Sequence, residues 1–181
     1  MNNVCDICGS EARFHVSSTK GMDAASYCLG CHNRIIALQY NTELPEDVPD
    51  RLWAVDDQGN ERNFDVELIL HGHINQLVAN ERGAGKYRCV VLGDPKDPFC
   101  LLWNELVRRI AKSINTKYLD ENRCPIKDSL VGYIEYNHDT ENCDLVVDGQ
   151  SLDLTELQRI ISGREGFLIR ISFADESEDI E

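Results

Sequence analysis

Cys5-Asp6-Ile7-Cys8-Gly9 and Tyr27-Cys28-Leu29-Gly30-Cys31 are two C-x-x-C pairs with nineteen residues between Cys8 and Cys28. A C-x-x-C turn presents two thiolates from one tight loop, and Gly9 supplies the backbone freedom such a turn needs. Two pairs complete the four soft ligands that Zn²⁺ takes in a tetrahedron. Cys5, Cys8, Cys28 and Cys31 are therefore expected to hold one structural zinc ion. Two other readings fit less well. Ordinary buried thiols do not need paired spacing, and a redox dithiol needs one pair, not two. A catalytic zinc keeps a coordination position open, and four cysteines close it.

The insert between the pairs is long enough for a hairpin, with residues 13–17 as one arm and 25–27 as the other. Cys31 is expected to open a short helix through His32, Asn33, Arg34, Ile35, Ile36 and Leu38, whose amide end and dipole favour a thiolate. Knuckle, hairpin, knuckle and helix is the order of a treble clef, and a zinc ribbon is its nearest competitor.

The run from Cys5 through Ala12, Arg13, Phe14, His15 and Val16, closed by Tyr27-Cys28-Leu29-Gly30-Cys31, resembles the zinc modules of the bacterial activator protein of the protein-arginine kinase. Those modules share the two knuckles, an alanine before a histidine-bearing strand, and a short helix. The resemblance covers about 35 of the 181 residues. It implies a metal-held platform for contacting a partner protein and implies no substrate. The family's second module and coiled segment have no counterpart in this chain. The remainder is similar to bacterial proteins that couple such a module to an α+β domain.

Working outward, the zinc module spans residues 1–40. A polar linker, 41–50, carries Pro45 and Pro49 among acidic residues. Residues 51–174 mix strand and helix signals, and 175–181 form an acidic tail expected to be disordered. Residues 51–55 read as a strand and Asp57-Gln58-Gly59-Asn60 as a turn. Phe64, Val66, Leu68 and Leu70 alternate with Asp65, Glu67 and Ile69, the pattern of a half-buried strand. Residues 87–92 read as another. Asp97-Pro98 suits a helix start, and Phe99, Leu102, Leu106, Ile110 and Ile114 follow at spacings of three and four, with Trp103 and Val107 widening the stripe. Residues 131–136 and 144–147 read as a hairpin. Asp153 and Glu156 have capping-box spacing, with Gly163 as the C-cap, and 167–173 as a closing strand. The class is α+β: a small treble-clef or zinc-ribbon module followed by a mainly antiparallel sheet with two helices on one face.

The 32 acidic residues against 18 Lys and Arg give a net charge of −14. Four thiolates and one divalent ion take this to about −16. Such a field opposes a phosphate backbone, so nucleic-acid binding needs a local basic patch. The start of the chain shows no basic segment followed by an apolar one, and no run approaches the roughly 18 apolar residues that span a bilayer. The expected setting is a reducing cytosol, where paired cysteines bind metal.

Weaker signals fill the rest. In an extended strand, His71 and His73 share the face of Asp65 and Glu67, which makes a second metal site and a metal-dependent hydrolase conceivable. The plainer reading is solvated histidines on the strand or its turn. Gly83-Ala84-Gly85-Lys86 lacks the Ser or Thr of a phosphate loop and reads as a hairpin turn. Cys89, Cys100, Cys124 and Cys143 have no paired spacing and read as buried thiols; Trp53 reads as core, with an exposed place on the basic contact surface as the alternative. Arg108, Arg109, Lys112 and Lys117 give the long helix a basic face. The expected function is a non-enzymatic cytoplasmic adaptor or regulatory subunit whose partner contacts are His15, Arg13, Arg34, Arg108, Arg109 and Lys112. The first alternative is a nucleic-acid-binding regulator using Arg13, Lys20 and Arg34. The second is the hydrolase centred on His71 and His73.

Overall fold

A computed structural model describes residues 3–17, 24–83 and 85–178. Lys20, with most of the hairpin insert, and the last three residues of the acidic tail lie outside the described residues, as does Ala84. The elements in chain order are β1 (Phe14–Val16), β2 (Ala25–Tyr27), α1 (Leu29–Tyr40), β3 (Arg51–Val55), β4 (Glu61–Leu70), β5 (Asn75–Glu81), β6 (Arg88–Gly93), α2 (Phe99–Asn115), β7 (Tyr133–Asn137), β8 (Asn142–Val147), β9 (Gln150–Leu152) and α3 (Leu154–Ser162). The class is α+β. The strands fall into a β1-β2 hairpin, a four-stranded sheet in the order β3-β4-β5-β6 and a three-stranded sheet in the order β7-β8-β9. The large sheet region is thus two sheets, not one. Among the described residues no helix is long and apolar enough to cross a membrane.

The chain divides into two compact units. One comprises Met1–Val48, Glu67–Leu77 and Leu92–Trp103; the other comprises Pro49–Val66, Val78–Val91 and Asn104–Glu181.

In the first unit α1 lies along the second half of β4. β3 pairs with β4 only as far as Asp65. In a strand, every second residue offers its backbone groups to the same edge. Past the end of β3, Leu68 and Leu70 therefore present an unpaired carbonyl and amide, and Asn33 of α1 takes both. Its Nδ2 donates to the Leu68 carbonyl at 2.8 Å, and its Oδ1 accepts from the Leu70 amide at 3.0 Å. His32 adds a ring-nitrogen contact to the Leu70 carbonyl at 3.0 Å and stacks on Phe14, with centroids 3.9 Å apart. Arg13 forms a two-pronged ion pair with Glu67. At the end of β4 the chain turns through His71-Gly72-His73. Gly72 has φ +85°, and a Cβ there would lie 2.6 Å from the Tyr40 ring, so both conformation and space require glycine.

In the second unit the apolar stripe of α2 is buried at Leu106, Ile110 and Ile114. Arg109 donates to the Val90 carbonyl of β6 at 3.1 Å, which places α2 against that strand. Val107 is exposed and Trp103 half-buried, so the stripe is narrower than its sequence implies. β8 and β9 are joined by Asp148-Gly149, both at positive φ (51° and 73°), a two-residue turn matched to strand twist. The Asp148 carboxylate also accepts from the Tyr118 and Leu119 amides, each at 2.8 Å. Leu119, Val147 and Leu152 form the buried centre beneath this sheet, with Tyr118, Leu130, Leu145 and Ile160 around them. α3 starts on the expected capping box: Asp153 accepts from the Glu156 amide at 2.7 Å, and Glu156 accepts from the Asp153 amide at 3.2 Å.

Three expectations are overturned. Trp53 is exposed because β3 buries one face only: Leu52 points inward and its neighbour must point outward. Of the four unpaired cysteines only Cys89 is buried; Cys100, Cys124 and Cys143 are exposed. Burial pushes the Cys89 thiol up to about 11. Residues 167–173 form no strand and stand in solvent. The described part of the tail is held in place, since Glu176 accepts from Arg88 at 3.0 and 3.2 Å.

A buried charge network closes the β3-β4 hairpin. Asp56 accepts from the amides of Gln58 (3.0 Å) and Asn60 (2.9 Å), from the Asn60 side chain and from Arg62 (3.0 Å); Arg62 also reaches Glu81 at 2.7 Å. The hydrogen bonds from Asn60, followed by those from Arg62 and Gln58, hold the Asp56 carboxyl down at about 2. A carboxyl with a folded pKa below its unfolded value near 3.9 stabilises the fold above that value. The contribution is lost as pH falls through the folded value. Asp56→Ala is therefore expected to lower the Tm at pH 6, with a deficit that shrinks between about pH 4 and pH 2. Thermal melts of both proteins across that range measure it; a deficit independent of pH would disprove the charge origin.

Candidate metal centre

The first knuckle is shaped by its backbone. The Cys5 amide donates to the Ser10 carbonyl at 2.7 Å and the Gly9 amide to the Cys5 carbonyl at 3.0 Å, with Gly9 at φ +76°. Asp6 ties this turn to β2: its amide donates to the Ser26 carbonyl at 2.9 Å, and its carboxylate accepts from the Ser26 amide at 2.7 Å. Val4 and Glu11 form a bridge across the base of the turn. The hairpin pairs Phe14 with Tyr27 and Val16 with Ala25.

The second pair sits on the amino end of α1. Cys28 is the N-cap, in extended conformation at φ −73° and ψ 165°, and its sulfur accepts from the Cys31 amide at 3.5 Å. The helix thus begins at Leu29, two residues earlier than the sequence suggests, because Cys28 takes the capping position that Ser or Asp usually fills. Asn41 ends it in the left-handed region at φ 51°, its amide donating to the Ala37 carbonyl. Knuckle, hairpin and a second pair at a helix start is the treble-clef order.

The four sulfurs lie within 4.8 Å of one another, and those of Cys8 and Cys28 are 3.5 Å apart. That separation is far beyond a disulfide bond of about 2.05 Å. A tetrahedron with Zn–S near 2.3 Å has S···S edges of about 3.8 Å, so the cluster has the size of a four-thiolate metal site. Cys5 and Cys31 are buried, Cys28 half-buried and Cys8 exposed. Their acidities diverge. Hydrogen bonding, first from the Cys28 backbone, brings Cys5 down to about 6, and Ser10 draws Cys8 down. Desolvation pushes Cys31 up to about 12. Thiolates so close together repel, and a divalent cation at their centre removes that penalty. The donor set fits a metal ion. It leaves no vacant position for substrate.

Among the described residues no other group of three or more His, Cys, Asp or Glu gathers at ligand distance. His71 and His73 lie beyond the end of β4 instead of on its face. His71 contacts the Gln76 side chain at 2.7 Å, and His73 packs edge-on against Tyr40 at 5.0 Å. His15 is exposed, with its Nδ1 3.0 Å from the Ser26 hydroxyl. Arg34 is exposed on α1. Arg108 and Arg109 both bond Glu105, which their hydrogen bonds, Arg108 first, hold down at about 2. Lys112 is exposed in the last turn of α2, and Lys117, past its end, donates to the Tyr87 hydroxyl at 2.8 Å. Asn33 was not singled out by its sequence context; its only signal is a polar residue on the helix face that Ala37 also occupies, four residues on.

Residues 46–115 match the family model described as a domain of unknown function, DUF7686, and residues 115–178 match a second, DUF7713. The two matches meet at the last residue of α2, and the four-cysteine module precedes both. No curated protein and no solved structure matches the chain.

Proposed function

We propose that this protein is a zinc-stabilised, non-enzymatic adaptor or regulatory subunit that binds a partner protein in the bacterial cytoplasm. The observation that carries the reading is the closed set of four thiols, which gives a small module rigidity without giving it a reactive position. Forty residues cannot bury enough apolar surface to hold a fixed shape alone, so a metal takes the place of a core. The module's outer surface is what remains for recognition. It exposes Ile7 in the first knuckle, His15 and Val16 on β1, and Arg34 and Leu38 on α1. Arg13 anchors this face through Glu67. The cations Arg108, Arg109 and Lys112 of α2 supply a second contact for an acidic partner segment. The resemblance to the kinase-activator modules supports the same role.

Purified chain is expected to carry one zinc per polypeptide by elemental analysis. A tagged chain is expected to co-purify with a stoichiometric protein that Ile7→Glu with Leu38→Glu releases while zinc remains bound. Two firmly bound ions per chain, or a partner retained by the double variant, would refute the reading.

A further inference from the structure

We propose that residues 167–173 are an unpaired strand that completes the three-stranded sheet of a second copy of this chain, adding along the free edge of β7. Phe167-Leu168-Ile169-Arg170-Ile171-Ser172-Phe173 alternates from Ile169 onward, with Leu168 as the one apolar residue on the otherwise polar face. In extended backbone Phe167, Ile169, Ile171 and Phe173 share one face, and Leu168, Arg170 and Ser172 the other. That is the pattern of a strand with one buried face. Yet these four apolar residues are 76%, 70%, 69% and 81% exposed. An apolar strand face left in water, with no ladder partner for the backbone beyond Phe167, whose amide donates to the Arg164 carbonyl at 3.1 Å, is a template for association.

The matching edge is in the same unit. β7 is the outer strand of the order β7-β8-β9, and the residues it exposes are apolar, Ile134 at 58% and Tyr136 at 51%. One antiparallel register satisfies both strands at once. With Arg170 opposite Glu135, Ile169 falls opposite Tyr136 and Ile171 opposite Ile134, while Phe173 faces Gly132. Apolar side chains then share a face, a cation meets a carboxylate, and an aromatic ring covers a glycine, each a favourable cross-strand pair. Within one chain the two stretches are not paired: β7 has β8 as its one strand neighbour among the described residues. Ser172 and Phe173 line a cavity of about 410 Å³ together with Val131, Gly132, Tyr133 and Ile134. The end of the segment is fixed beyond it by the Arg88 contact with Glu176.

A second copy can use both elements reciprocally, each chain giving its segment and receiving the other's, so the assembly closes as a two-fold dimer. Two phenylalanines and two isoleucines from each copy, with the receiving edges, bring the buried surface to the roughly 1,200 Å² at which specific interfaces begin. A net charge of −14 on each copy opposes approach. Added salt is therefore expected to strengthen the dimer, unlike an association driven by opposite charges.

Sedimentation of the full zinc-loaded chain tests this. A dimer is expected at about 100 µM, with Ile171→Lys monomeric and Arg170→Glu weakened about tenfold. Glu135→Lys with Arg170→Glu is expected to restore association, since the new carboxylate also meets Lys86, which bonds Glu135 at 2.5 Å. Amides of 167–173 are expected to be protected from hydrogen exchange in the dimer and open in the Ile134→Lys variant. A wild-type monomer at that concentration overturns the proposal, as does a dimer indifferent to both segment variants. Protected amides in a chain that sediments as a monomer would assign the strand to its own β7 and overturn it equally.

Discussion

Cys28→Ser is expected to abolish metal retention and to unfold the first forty residues while leaving the second unit intact. The size of the effect follows from what holds the module together. Among its described residues only Cys5, Ala12, Cys31, Asn33 and Ala37 are buried, and two of these are the cysteines themselves. Structural zinc in modules of this size supplies roughly 10–16 kcal/mol of apparent binding free energy at neutral pH. No packing available here replaces that. Cys28 does two things: it offers a thiolate and caps α1. Serine keeps the cap, since its hydroxyl accepts from the same amide, but it is a poor ligand for zinc. The variant therefore separates capping from metal binding. Zinc content by elemental analysis, with amide exchange over 24–48, reads both. Acid is expected to act as the mutation does: zinc binding requires thiolates, so protons compete with the metal and affinity falls as pH drops. A chain that keeps an ordered, protected α1 without zinc would contradict this account.

What the sequence made legible was local. The capping box at Asp153 and Glu156, the turn after Val55 and the start of α2 depend on neighbours within four residues, and each lies where spacing puts it. The cysteine pairs were legible because metal coordination converts sequence spacing into geometry. β5 escaped because Leu77, Val78 and Ala79 are all buried: a strand buried on both faces has no alternation to detect, and the polar residues around it resemble a loop. β9 is three residues long; its one signal is the Asp148-Gly149 turn before it. Trp53 and Cys143 are exposed against the tendency of their residue types, because the exposed face of a strand is set by its tertiary neighbours. Residues 167–173 carry the strand pattern without the strand. Pattern supplies a face to bury; it does not supply the partner.

The docking of the module is the feature that spacing could least reveal, and its loss carries the second large effect. Asn33→Ala is expected to lower stability by about 2–4 kcal/mol, seen as loss of a cooperative melt for the first unit. Asn33 is buried, and its one amide closes two backbone groups of β4 that have no strand beside them. Removing it leaves the Leu68 carbonyl and the Leu70 amide buried and unpaired, and each such group costs about 1–3 kcal/mol. Alanine raises the helix propensity of α1, so any intrinsic effect on the helix has the opposite sign and the measured loss is a lower bound on the docking contribution. Asn33→Asp is the sharper probe. It retains the acceptor for the Leu70 amide, loses the donor, and sets a negative charge against the Leu68 carbonyl, so at neutral pH, where zinc stays bound, it is expected to destabilise at least as much as alanine. Zinc is expected to stay bound in both variants, because the four thiols lie on the knuckles and the helix start and not on β4. Zinc retained with exchange rates raised at Leu68–Leu70 and along α1 would verify that Asn33 acts by closing the open edge of β4. Unchanged exchange at Leu70 would refute it.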